Sequence, residues 1–149
     1  MSLVVDASVI IKWFAVEELM DEADQLRPLL ARLAAPDFRL VELTNIAWKK
    51  VRLGTFLLEE AIQIAPYLRH SEMRFLPSEP LLDVALRLAH KFDHPVYDCL
   101  YVAAMDLLGA KFLTWDKRLH AKLAQSRFAP SSYLLSEVDR LLADLAPSP

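Results

Sequence analysis

Two short apolar runs each end in an acid that is followed at once by a helical pattern. Leu3-Val4-Val5 runs into Asp6 and then into an apolar stretch over 7–14. Phe112-Leu113-Thr114 runs to Asp116 and then into a helical stretch over 116–124. Apolar runs without polar alternation read as strands covered on both faces, the kind found in parallel sheets. Parallel neighbours need long crossovers, and the chain supplies helical segments between its strand candidates. The reading is an α/β domain with a mostly parallel sheet.

The remaining elements fit that frame. Helical spacing covers 18–33, with Pro28 predicting a kink or a break into two pieces. Ala34-Ala35-Pro36 is a candidate second strand, confined by Pro36 to an edge or an end. Helical patterns follow over 38–53, with Gly54 as C-cap, and over 57–68, interrupted or restarted at Pro66. A strand is expected at 73–76 and a helix at 80–92 with Pro80 in its first turn. Pro95 opens a helix that stops at Gly109, a strand covers 111–114, and the tail carries an amphipathic helix over 136–145. Phe128 is a candidate for a last short strand. With no repeat, no low-complexity tract and no linker, the expectation is one domain over 1–149.

Composition excludes several classes. Fifty-four per cent apolar and 25% charged residues describe a folded rather than a disordered chain. No apolar run approaches the roughly 20 residues that span a bilayer, and the N-terminus lacks a basic region or cleavage site of the export type. The cytoplasm is the expected compartment. Cys99 is the only cysteine, which rules out an internal disulfide and a zinc cluster of cysteines. With only two glycines there is no Gly-rich phosphate loop. A net charge of −3 gives no global attraction to nucleic acid. Basic residues are nevertheless clustered at Lys49, Lys50 and Arg52, and at Lys111, Lys117, Arg118 and Lys122; either cluster can equally be a solvated helix face.

Four acids stand out by position. Ligands in parallel α/β sheets bind outside the carboxyl ends of the strands, where Asp6 and Asp116 fall. Asp98 lies in the first turn of the helix after Pro95, and Glu42 lies near the start of its helix with Asn45 three residues on. Each has an ordinary alternative: an Asp between strand and helix serves as an N-cap, and Asp98 is favoured by the helix dipole alone. Against this, Asp6 and Asp98 sit in apolar surroundings with no basic neighbour in sequence, where a charge is costly unless paired or bound to metal. His70, His90, His94 and His120 show no ligand spacing and are read as surface or packing residues, Cys99 as a small buried hydrophobe, and Trp13, Phe14 and Trp48 as core or dimer contacts.

Taken in series, Val4-Val5-Asp6-Ala7-Ser8-Val9-Ile10, Glu42 with Asn45, Tyr97-Asp98-Cys99-Leu100-Tyr101-Val102-Ala103, and Leu113-Thr114-Trp115-Asp116-Lys117-Arg118-Leu119 resemble the PIN-domain nucleases, and within them the VapC-like toxins of toxin–antitoxin pairs. The resemblance covers nearly the whole chain in order. It implies a three-layer α/β/α sandwich and a Mg²⁺- or Mn²⁺-dependent endoribonuclease. It further implies a homodimer held inactive by a cognate VapB-like antitoxin. By the same resemblance Asp6, Glu42, Asp98 and Asp116 form the acidic quartet that holds one or two metal ions and cuts RNA, with Ser8, Asn45 and Thr114 in support. Trp115 departs from the pattern, which has a small residue there.

The donor set suits hard cations, since carboxylates without His or Cys select Mg²⁺ or Mn²⁺. Asp6 is the expected central ligand; Glu42 either binds metal or acts through water as a base. Two rivals fail on single residues. A haloacid-dehalogenase-type phosphatase needs an acid where Ser8 stands, and a response-regulator receiver needs an acidic pair after the first strand. A PIN-like module that binds RNA or a partner without cutting remains the alternative.

Overall fold

A computed structural model describes residues 1–147; Ser148 and Pro149, the last residues of the expected single domain, lie outside the described residues. Five strands, β1 (Leu3–Val5), β2 (Leu33–Pro36), β3 (Arg74–Leu76), β4 (Lys111–Thr114) and β5 (Ser132–Leu134), form one sheet in the order β3-β2-β1-β4-β5. Every pairing is parallel. Helices pack on the sheet to give the three-layer α/β/α sandwich. Residues Leu3, Val4 and Val5 of the central strand are wholly buried, as a strand covered on both faces must be.

The chain builds outward from β1 to β2 and β3, then crosses back to place β4 on the other side of β1. The strand order reverses between β1 and β4, and that switch point is where such sheets leave a crevice at their carboxyl ends. Four helices matter for what lines it: α1 (Ala7–Ile10) after β1, α3 (Phe38–Arg52) after β2, α6 (Val96–Leu108) before β4 and α7 (Lys117–Leu123) after β4. Helix α6 lies against β1, β2 and β4, and its residues 99–105 are all buried. Helix α6 begins after Pro95 and ends at Gly109, whose φ of 57° is left-handed.

Most sequence-based elements are present, with instructive differences. The segment 18–33 does break: α2 (Met20–Asp24) is followed by a 3₁₀ stretch, Arg27–Arg32, with Pro28 in its first turn. Pro36 ends β2, but the strand lies inside the sheet, paired on both sides. Pro66 neither interrupts nor restarts its helix; α4 (Leu58–Arg69) runs through it. Only the last turn lies beyond Pro66, where the Pro66 carbonyl accepts from the His70 amide at 3.1 Å. Phe128 is in no strand: it is buried ahead of a 3₁₀ turn, Ala129–Ser131, and β5 follows at Ser132. Helix α5 (Leu82–Phe92) packs on α6, and α8 (Val138–Leu145) closes the tail against β5. Among the described residues no helix is long and apolar enough to cross a membrane.

Candidate metal centre

Asp6 and Asp116 both are the N-caps that their positions suggest, and both keep acceptor capacity to spare. Asp6 Oδ1 accepts from the Ser8 amide at 2.9 Å and from the Ser8 hydroxyl, while Oδ2 accepts from Thr114 Oγ1. Asp116 Oδ1 accepts from the Leu119 amide at 3.0 Å, leaving Oδ2 to face the crevice. An ionised carboxylate has about four acceptor sites, so capping and metal binding do not exclude each other.

Two hydroxyls tie the strand ends together. Thr114 Oγ1 donates to Asp6 and accepts from the Asp116 amide at 2.9 Å. Ser8 Oγ donates to Asp6 and accepts from the Trp115 amide at 2.9 Å. The carboxylate that ends β1 is thus fixed to the backbone that leaves β4. Trp115 packs against the core, and the Lys117 ammonium lies 4.6 Å from its ring centroid.

Asp98, in the first turn of α6, meets Asp116 through a residue the sequence reading set aside. His94 Nε2 is 2.7 Å from Asp98 Oδ2 and 3.8 Å from Asp116 Oδ2, and its ring is buried. One ligand atom from each of His94, Asp98 and Asp116 falls within 4.8 Å of the other two. His94 is therefore a packing rather than a surface residue, and it brings a nitrogen within reach of two of the acids. Its only trace in the sequence was the spacing of four residues before Asp98, which a helix start turns into contact.

Glu42 reaches the same crevice from α3. Tyr101 OH donates to Glu42 Oε2 at 3.2 Å, and Glu42 Oε1 is buried with no hydrogen-bond partner. Asn45 is exposed and lines, with Phe38, Val41, Glu42, Ile46, Tyr97 and Asp98, a cleft of about 480 Å³. Arg39, one turn before Glu42, is wholly buried; its Nη2 donates to the Asp6 carbonyl at 3.2 Å. The sequence reading found no basic residue beside Asp6, and this one comes from 33 residues away.

The electrostatics follow from burial among like charges. Burial pushes Asp6 up to about 6, against the pull of its bonds to Ser8 and Thr114 and of nearby Arg39, with Asp98 adding to the rise. Burial, then the charges of Asp98 and Asp6, push Glu42 up to about 7, although Tyr101 and Arg39 oppose them. Asp98 is raised by burial despite its bond to His94, with Asp116 contributing. Clustered carboxylates that hold protons this well have too little counter-charge nearby, Arg39 offsetting only part of their repulsion. Cys99 is buried and pushed up to about 11, so it stays a neutral packing residue beside Asp98.

A divalent cation fits these residues. The orphaned buried Glu42 Oε1 lacks a partner, and Asp98 and Asp116 face one another across His94. Oxygen donors with one imidazole accommodate Mg²⁺ or Mn²⁺, the nitrogen favouring Mn²⁺.

Comparison with known proteins identifies the family. The PIN domain family matches residues 3–126. The chain belongs to the PIN domain family. It is 32% identical to Ribonuclease VapC3 of Pyrobaculum aerophilum over 124 residues, which is 82% of this chain and 95% of that protein. Its fold resembles the crystal structure of PAE2754 from Pyrobaculum aerophilum, with a TM-score of 0.72, 24% identity, and coverage of 96% of this chain and 90% of that one.

Proposed function

We propose that this PIN-domain protein is a metal-dependent endoribonuclease, one catalytic domain that serves as the toxin of a type II toxin–antitoxin pair. The carrying observation is the convergence of Asp98 and Asp116 around His94, beside buried Asp6 and half-buried Glu42. Likeness to a relative named as a ribonuclease supports RNA as the substrate. Asp6, Glu42, Asp98 and Asp116 would hold one or two Mg²⁺ or Mn²⁺ ions, with His94 as a further ligand or as the group that orients Asp98. A bound ion supplies relief of charge at the phosphate and acidifies the attacking water.

The chain's own residues do the rest. Glu42 lines the open cleft, where it either joins the metal ligands or accepts a proton from water as that water's oxygen attacks phosphorus and the bond to the leaving oxygen breaks. Tyr101, a phenol held neutral by burial, keeps Glu42 aimed by donating to Oε2. Ser8 and Thr114 fix the Asp6 carboxylate, and Asn45 lies in the cleft as a polar contact for RNA.

A VapB-like antitoxin and a homodimer complete the proposal. Val41, Trp48, Leu58 and Ile62 leave apolar surface exposed along α3 and α4 for such contacts. The protein would act in the cytoplasm. The test is cleavage of a mixed RNA pool with Mn²⁺. Changing a group that merely orients a metal ligand costs about 10–100-fold, so Asp98→Asn is expected to lose at least that much. Equal cleavage by both proteins would remove Asp98 from the mechanism; no cleavage by either would favour a binding module.

A further inference from the structure

Arg39 is an unusual occupant of the layer beneath the acids. Its residue is wholly buried, yet it makes no contact ion pair among the described residues. Nη2 donates to the Asp6 carbonyl at 3.2 Å, Nη1 lies 3.7 Å from the Met73 thioether, and Nε has no partner. A guanidinium stays charged under almost any condition, and burying one without a carboxylate is expensive. The carboxylates near enough to act on it favourably are those of Asp6 and Glu42, and Tyr101, whose hydroxyl donates to Glu42, acts in the same sense.

We propose that Arg39 is a built-in counter-ion of the metal centre, a positioning residue that cancels one of the four carboxylate charges from the core side. The proposal rests on the metal-binding reading above. Geometry gives it two roles at once. Through the Asp6 carbonyl it pins the end of β1 to the first turn of α3, which carries Glu42 one turn further on. Through space its charge lets Asp6 and Glu42 stand close together before any cation arrives. The same charge repels an incoming divalent ion, so Arg39 lowers the affinity of the site for metal while keeping the site assembled.

This sets a sign that a purely structural arginine would not. The experiment is calorimetric titration of the full-length chain with Mn²⁺ at pH 8, comparing wild type with Arg39→Met, which keeps bulk and loses charge, and Arg39→Lys, which keeps charge. Arg39→Met is expected to bind Mn²⁺ on the order of tenfold more tightly, because a unit positive charge is removed from the poorly screened interior beneath the acids. Arg39→Lys should stay near wild type. Melting temperatures read with and without Mn²⁺ should show a larger metal-induced rise for Arg39→Met. Unchanged affinity in Arg39→Met would make Arg39 a packing residue, and weaker affinity would make it only a brace for Asp6; either overturns the counter-ion. Should Arg39→Met not fold, Arg39→Gln replaces it with the same expected sign. Absence of Mn²⁺ binding in wild type would remove the metal centre itself, a failure distinct from the other two.

Discussion

At the scale of single residues, the site works by making one group do two things. Asp6 caps a helix with one oxygen and holds Thr114 with the other, and Asp116 caps a helix with one oxygen while the other faces His94. His94 joins Asp98 to Asp116 and is the residue whose removal should be most informative. His94→Ala is expected to lower Mn²⁺ affinity and RNA cleavage together by about 10–100-fold, the usual loss for a group that ligates or orients at a metal. Calorimetry and a cleavage assay on the same preparations check this; full Mn²⁺ affinity in the variant would show that Asp98 and Asp116 need no help. Asp6 and Asp116 were legible in the sequence because strand and helix signals meet at them. His94 and Arg39 were not. Their roles depend on which face of a helix start points inward and on a contact across 33 residues, neither of which a local pattern records.

At the scale of elements, the helix that delivers Asp98 has unequal ends. Its start carries the carboxylate, and its end is set by Gly109 at φ 57° with open space where a Cβ would go. Gly109→Ala should therefore cost only the left-handed backbone penalty, about 1–2 kcal/mol, with cleavage intact. The urea midpoint reads the first part and the RNA assay the second; a loss of cleavage would tie the end of α6 to the site. Elements were readable where breakers sit at their ends, as Pro95 and Gly109 do. Pro66 misled because α4 absorbs the loss of the one backbone bond a proline cannot make and continues for a further turn, and the last strand was misplaced because Ser132-Tyr133-Leu134 is short and begins with a polar residue, whereas Phe128 is apolar and merely buried.

At the scale of the whole molecule, the acids make stability depend on pH and metal. In the fold Asp6 is raised to about 6 and Glu42 to about 7, above the ordinary carboxylate values near 4. Between those limits the folded chain binds more protons than the unfolded one, so this contribution is complete below about pH 4 and is lost as pH rises through about 7. Glu17 works in the opposite sense: burial alone would raise it, but its bonds to Lys50 and Lys12 hold it low, so its contribution fails only in more acid solution. The metal-free protein should thus melt at a lower temperature at pH 8 than at pH 5.5, and Mn²⁺ should reverse the difference by stabilising the ionised cluster. Melting curves in chelator and in Mn²⁺ at both pH values decide it; a metal-free melting temperature that rises from pH 5.5 to pH 8 would contradict the buried cluster.

The bridges from Ser8 and Thr114 carry a consequence for how the protein is made. They join residues near the start of the chain to residues 114–116, and Asp116 itself comes three quarters of the way along. A nascent chain holds Asp6, Glu42 and Asp98 outside the ribosome while β4 is still inside the exit tunnel, with the central strand unpaired on one side. No complete acid cluster exists until the far strand has emerged and docked. Any chemistry that needs all four acids together therefore starts only when the molecule is nearly finished.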